Sequence, residues 1–308
     1  MSTAAFWPIS ANNHSNLEMQ TTDFKILYSC HPEDLKGYDT DKLRQRFLMS
    51  DVMCLGKAKF TYSMNERLLF GGIMPTEEQP IKLEPIEPLK AEYFLECREM
   101  GIINIGGKGC IAVDGEDFLL ENKDALYIGR GHREIILSSV DPVSPAKYYF
   151  NSAPAHCSYK TQLVTLSGRD DTIKANSFAT GSLEQSNYRT INQMIVKGVL
   201  QEGPCQLQMG ITELRPGSVW NTMPAHTHDR RAEVYFHFGL MPGNVVCHIM
   251  GEPHQSRLIW AHDQQAVMSP EWSLHAGAGT AAYSFIWGMA GENLDYGDMN
   301  KVDYLDLK

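Results

Sequence analysis

Pro224-Ala225-His226-Thr227-His228-Asp229-Arg230-Arg231-Ala232-Glu233 is the stretch that decides the fold. Residues two apart on an extended strand point to the same face, so His226 and His228 can present two imidazoles to one point. Glu233 follows His228 at a spacing with the wrong parity for one continuous strand. The polar step Asp229-Arg230-Arg231 supplies a turn that resets the facing and brings Glu233 back to the same site. A fourth ligand must come from elsewhere, and His275, at the end of Ser269-Pro270-Glu271-Trp272-Ser273-Leu274-His275, is the candidate. Three neutral imidazoles and one carboxylate suit Zn²⁺, Fe²⁺, Mn²⁺ or Ni²⁺, and the spacing does not choose among them.

A lone histidine would say little in a chain that has eleven. The set as a whole resembles the two-part signature of the cupin β-barrels, G-x(n)-H-x-H-x(3,4)-E-x6-G followed by G-x5-P-x-G-x2-H. Gly217 precedes the first histidine, His-x-His-x4-Glu is intact, and Pro270 stands five before His275. The departures lie at the edges. The loop after Gly217 is long, Trp272 replaces a glycine, and Gly239 falls one short of the position that Leu240 occupies.

The surrounding chain reads as many short strands. Ile111-Ala112-Val113 runs into Asp114-Gly115, a hairpin turn signal. Ala125-Leu126-Tyr127-Ile128, Glu134-Ile135-Ile136-Leu137, Lys147-Tyr148-Tyr149-Phe150 and Tyr283-Ser284-Phe285-Ile286-Trp287 continue the pattern, which suggests a sandwich or barrel. Helical periodicity is scarce beyond Asp39 to Met49, where Asp39 or Thr40 could cap a short helix with Leu43, Phe47 and Leu48 on one face.

An internal repeat is also visible. Glu92-x-Phe94-x4-Glu99 falls on His226-x-His228-x4-Glu233 at one shift, and Asp124 to Glu134 falls on Gln265 to His275 at a slightly larger one. The expected fold is all-β, a tandem pair of cupin (double-stranded β-helix) barrels with few short helices. The expected organisation is an arm over 1–25, a first half over 26–160, a linker over 161–187 and a metal-binding second half over 188–308. At the ligand-equivalent positions the first half carries Glu92, Phe94, Glu99 and Glu134, with no histidine, and reads as structural.

Composition narrows the function. The chain has 308 residues, 43% of them hydrophobic, and a formal net charge of −10, which argues against nucleic acid or an anionic membrane surface as partner. No apolar run of roughly 18 residues predicts a membrane span. The N-terminus shows no basic-then-apolar leader, and the seven scattered cysteines contain no CxxC, so reduced thiols and a cytoplasmic location are expected.

Longer segments carry a more specific resemblance: Gly71-Gly72-Ile73-Met74-Pro75, Arg98-Glu99-Met100-Gly101-Ile102-Ile103-Asn104-Ile105-Gly106-Gly107, Asp124-Ala125-Leu126-Tyr127-Ile128-Gly129 and Ala153-Pro154-Ala155-His156. Arg189-Thr190-Ile191-Asn192, Leu214-Arg215-Pro216-Gly217-Ser218-Val219-Trp220-Asn221-Thr222-Met223-Pro224 and Phe285-Ile286-Trp287-Gly288-Met289-Ala290-Gly291-Glu292-Asn293 extend it. With these, the chain from His31 to Lys308 resembles the 5-dehydro-4-deoxy-D-glucuronate isomerases, also called 4-deoxy-L-threo-5-hexosulose-uronate ketol-isomerases. The resemblance implies one Zn²⁺ per chain on His226, His228, Glu233 and His275, and a cytoplasmic homohexamer. It also implies a small sugar-acid substrate from the breakdown of pectin or related uronate polysaccharides.

An aldose–ketose shift moves a proton from C2 to C1 through an enediolate, and a divalent metal can stabilise the charge that develops. The substrate carboxylate calls for a guanidinium. Arg230 and Arg231 flank the metal motif, with only one of the two expected in the pocket; Arg189 and Lys197 are further candidates. For the proton-transfer base the sequence leaves His237, His248, Tyr235 or a metal-bound hydroxide open, each of the side chains also readable as core. Trp220, Trp272 and Trp287 are either pocket walls or core. Two other readings use the same ligand set: an Fe²⁺-dependent cupin dioxygenase and a non-enzymatic sugar-binding cupin.

Overall fold

The computed structural model describes residues 22–308. Most of the expected arm, residues 1–21, lies outside the described residues, while Asp23–Leu27 is a strand paired in parallel with Lys57–Ser63. The fold is all-β, with four sheets arranged as two barrels. An eight-stranded and a four-stranded sheet enclose the first core, and a seven-stranded and a five-stranded sheet form the second barrel.

The central strands explain why strict alternation is hard to see in the sequence. In Tyr148–Pro154, Tyr148 and Phe150 fill the first barrel, while Tyr149 and Ala153 enter a large cluster between the barrels. Arg231–Phe238 behaves the same way: Ala232, Val234, Phe236 and Phe238 belong to the shared cluster. Arg231, Glu233, Tyr235 and His237 take the opposite face, and all eight residues of that strand are buried. A strand covered on both faces reads as a continuous run.

The interior of the first barrel is closed by aromatic packing. Phe60 lies 4.9 Å from Phe150 and 5.8 Å from Phe94, ring centre to ring centre. Phe94, on a ligand-equivalent position of the repeat, is thus part of a solid apolar core. Glu99 corrects the repeat alignment, because it does not face that interior. It accepts hydrogen bonds from the Tyr127 hydroxyl and from the backbone N–H groups of Cys205, Gln206 and Leu207. Glu233 faces into its own barrel, so the repeat slips by one residue here, and on a strand that slip reverses the facing.

Two segments depart from the expected organisation. The helix Thr40–Phe47, capped by the Asp39 carboxylate on the Lys42 N–H, buries Leu43 and Phe47 against Met250, Ile259 and Val267 of the second barrel. Leu48–Met49 then pairs with Val267 and Ala266 in the seven-stranded sheet. Residues 161–187 carry strands: Gln162–Thr165 and Ile173–Lys174 complete the eight-stranded sheet, and Asn176–Thr180 starts the seven-stranded one. Asn176–Thr180 is an edge strand and largely exposed, which accounts for its polar composition.

Candidate metal centre

The strand Trp220–Thr227 carries His226 and leads into His228. Asp229 and Arg230 form the turn, as the polar step requires, and the chain passes from the five-stranded to the seven-stranded sheet. Glu233 then faces back across the barrel. His275 comes from Leu274–Gly279, in direct register with His226.

The four side chains are buried, and their ligand atoms all lie within 4.8 Å of one another. The His226 and His275 Nε2 atoms are 3.2 Å apart, and Glu233 Oε2 is 2.9 Å from His275 Nε2 and 3.1 Å from His228 Nε2. A tetrahedral ion with metal–nitrogen bonds of about 2.0–2.1 Å would set its ligand atoms roughly 3.3 Å apart. These three spacings are close to the edges of such a polyhedron.

Outer contacts aim the rings. The backbone carbonyl of Asp298 lies 2.8 Å from His228 Nδ1, and the Ser269 hydroxyl lies 3.2 Å from His275 Nδ1. Donation from each Nδ1–H leaves the Nε2 lone pair facing the centre. Burial alone would push the Glu233 carboxyl up; when His275 and His228 carry a proton on Nε2 they outweigh it and hold the carboxyl well below the usual carboxylate range, a part that a bound cation would take over. The donor set, its spacing and its orientation fit a divalent cation.

The centre opens on a cavity of about 420 Å³. Of the cationic candidates from the sequence, Arg189 lines it; its Nη1 donates to the Asn187 carbonyl at 2.8 Å, and its buried Nε has no partner among the described residues. Arg231 is buried but does not line the cavity. Its Nη2 donates to the carbonyls of Asp298 (2.7 Å) and Tyr296 (3.3 Å), fixing the segment that orients His228. Arg230 is exposed and pairs with Glu292 at 3.0 Å, and Lys197 is exposed away from the cavity.

His237 and His248 pack against each other outside the cavity lining, His237 Nε2 3.4 Å from His248 Nδ1. Burial pushes His237 down to about 3, and burial together with His237 and His275 pushes His248 well below its ordinary value. Both are neutral core imidazoles. Tyr235 does line the cavity, with its ring 5.2 Å from that of His275. Trp287 is a cavity wall, whereas Trp272 packs edge-on against Phe47.

Sequence reasoning missed Lys301, Asn221 and Thr222 on the cavity wall. Lys301 arrives on a two-residue strand opposite His226, a pairing without sequence signal. Thr222 holds φ +54°, a left-handed conformation that costs a β-branched residue on the order of 1–3 kcal/mol.

A family model described as the KduI/IolB family matches residues 53–305. A 4-deoxy-L-threo-5-hexosulose-uronate ketol-isomerase of Formosa agariphila is 48% identical over 288 residues, covering 94% of this chain and 100% of that protein. The protein of the same name from Bacteroides fragilis is 50% identical over 287 residues, covering 93% and 99%. Among solved structures, an IolB-like protein from Salmonella typhimurium aligns with a TM-score of 0.65 at 13% identity, over 83% of this chain and 96% of that one. That last likeness bears on the fold alone.

Proposed function

The chain belongs to the KduI/IolB family and is an isomerase, and on that premise we propose that it converts 5-dehydro-4-deoxy-D-glucuronate to 3-deoxy-D-glycero-2,5-hexodiulosonate. The proposal includes a zinc ion held by His226, His228, Glu233 and His275. The observation that carries it is the convergence of those four buried ligands on a cavity, in a chain about half identical to named ketol-isomerases.

The reaction takes a proton from C2 and returns one to C1, and negative charge gathers on the two oxygens in between. A divalent cation bound at this centre would supply Lewis-acid stabilisation of that charge. The chain's own residues do the rest. Arg231 locks the Asp298 carbonyl that fixes the His228 ring. Arg189 and Lys301 supply positive charge on the cavity wall for the substrate carboxylate, and the Arg189 Nε, without a partner among the described residues, is a donor for one of its oxygens. Trp287 and Phe285 form an apolar wall that limits water near the reacting carbons.

The proposal extends to a first half (26–160) without metal, a metal-binding second half (188–308), a cytoplasmic homohexamer, and a place in pectin or uronate polysaccharide catabolism. Its test is to incubate zinc-loaded protein with the substrate and follow the sugars by NMR. Appearance of the 2-ketone supports it; no conversion at full zinc loading overturns it. Oxygen consumption with loss of activity under anaerobic conditions would instead favour the dioxygenase reading.

A further inference from the structure

Three side chains on the cavity wall form a short hydrogen-bonded chain that the metal centre does not use. Tyr235 is two residues beyond Glu233 on the same face of its strand, so its ring enters the barrel beside the ligands and lies 5.2 Å from His275. Its hydroxyl is 2.9 Å from the Thr222 hydroxyl, and the Asn221 side-chain amide donates to that same Thr222 oxygen. All three residues are buried, and all three line the cavity.

Only the first step of the chain has a fixed direction. The Asn221 amide nitrogen can only donate, so Thr222 accepts from it. The Thr222 and Tyr235 hydroxyls share one hydrogen bond in which either oxygen can be the donor. When Thr222 donates, the Tyr235 hydrogen is left for a ligand in the cavity that the phenol lines. Thr222 makes this contact from a left-handed backbone, unfavourable for a β-branched residue.

We propose that Tyr235 is a catalytic residue, its phenol O–H donating a hydrogen bond to the substrate oxygen on which charge develops. Asn221 and Thr222 are the positioning residues that orient it. This rests on the isomerase reading above and assigns a donor on the protein side of the reacting oxygens. No covalent bond to Tyr235 forms, and no proton leaves it. The arrangement is that of an oxyanion donor held rigid before the reaction, the form in which such a donor contributes most.

The test is Tyr235→Phe in the zinc-loaded protein, with two readouts. Turnover of the uronate should fall about 100-fold in kcat with KM little changed, as removal of a single oxyanion donor does elsewhere. Acetohydroxamate, a planar mimic of an enediolate, should bind about 10-fold more weakly by calorimetry. The hydroxamate titration stands even if the uronate proves to be the wrong substrate, which separates failure of this inference from failure of the substrate assignment. Thr222→Val should lower kcat about 10-fold, and Thr222→Ser should restore it. Wild-type hydroxamate affinity in Tyr235→Phe overturns the proposal. So does loss of zinc from that variant, since it would make Tyr235 a packing residue.

Discussion

Tyr149 of the first barrel stacks on Phe236 of the second, with ring centres 4.5 Å apart and planes within 12° of parallel. The contact joins the two barrels at the back of the strand whose other face carries Glu233 and Tyr235. Phe236→Ala is therefore expected to lose about 3–5 kcal/mol of stability, the usual loss for a buried phenylalanine, measured by urea denaturation. A loss below about 1 kcal/mol would mean that the two barrels hold together without this contact.

His226→Ala should abolish both bound metal, read by elemental analysis, and turnover. The mutation removes one of four ligands and leaves Glu233 and His275 without the shared centre. Full metal occupancy in this variant would contradict the ligand assignment. In the wild type, a strong chelator should lower the thermal midpoint, because a ligand that binds only the folded state adds to its stability.

Arg189 and Arg230 should differ sharply. Arg189→Ala is expected to raise KM at least about 10-fold with zinc retained, the order of effect of losing one charged hydrogen bond. Arg230→Ala should leave KM within about twofold, since its partner Glu292 is an exposed surface group and such pairs contribute little. Equal effects from the two would remove Arg189 from the carboxylate site.

Glu99→Gln should keep its zinc yet lose stability, by about 3 kcal/mol or more. The carboxylate accepts three backbone N–H groups and the Tyr127 hydroxyl, and an amide would set its own N–H against some of those donors. Unchanged denaturation would mean that the Cys205–Leu207 segment does not depend on this anchor.

His237 gives a pH dependence whose sign follows from burial. Its folded-state value is pushed down to about 3, below that of the unfolded chain near 6.5. The unfolded state thus binds the extra proton first. Stability is full above about pH 6.5 and falls as pH drops, by about 2 kcal/mol at pH 5 from this residue alone. His237→Phe should flatten the thermal midpoint between pH 5 and 7; an unchanged slope would place the acid sensitivity elsewhere.

The cluster of His226, His228, Glu233 and His275 was legible because its pattern is local: one His-x-His step, one turn at Asp229–Arg230 and one downstream histidine. The Asp39 cap was legible for the same reason, since its acceptor and donor lie within a single turn. That neither Arg230 nor Arg231 lines the cavity, where one of the two was expected, was not, because facing after a turn depends on where the next strand starts. Lys301, Asn221 and Thr222 escaped notice because their roles arise from pairing across the barrel and from one backbone angle. The wrong facing of Glu99 has a similar origin, a single-residue slip that a repeat alignment does not penalise but a pleated strand reverses. Residues 161–187 look like a linker because two of their three strands, Ile173–Lys174 and Asn176–Thr180, are edge strands, which need few apolar side chains.

The helix Thr40–Phe47 bears on how this protein can be made. Arg44 donates to the Trp260 carbonyl across 216 residues of chain, and the helix's apolar face rests on residues as late as Val267. During synthesis that face leaves the ribosome long before its docking surface exists. The second barrel can be clasped only when translation is nearly complete. A chain stalled or truncated between the two barrels would carry Leu43 and Phe47 uncovered, a sticky end for chaperones or for aggregation. By the same logic, residues 188–308 expressed alone would be missing their clasp, and supplying residues 30–50 as a separate peptide is the natural way to restore it.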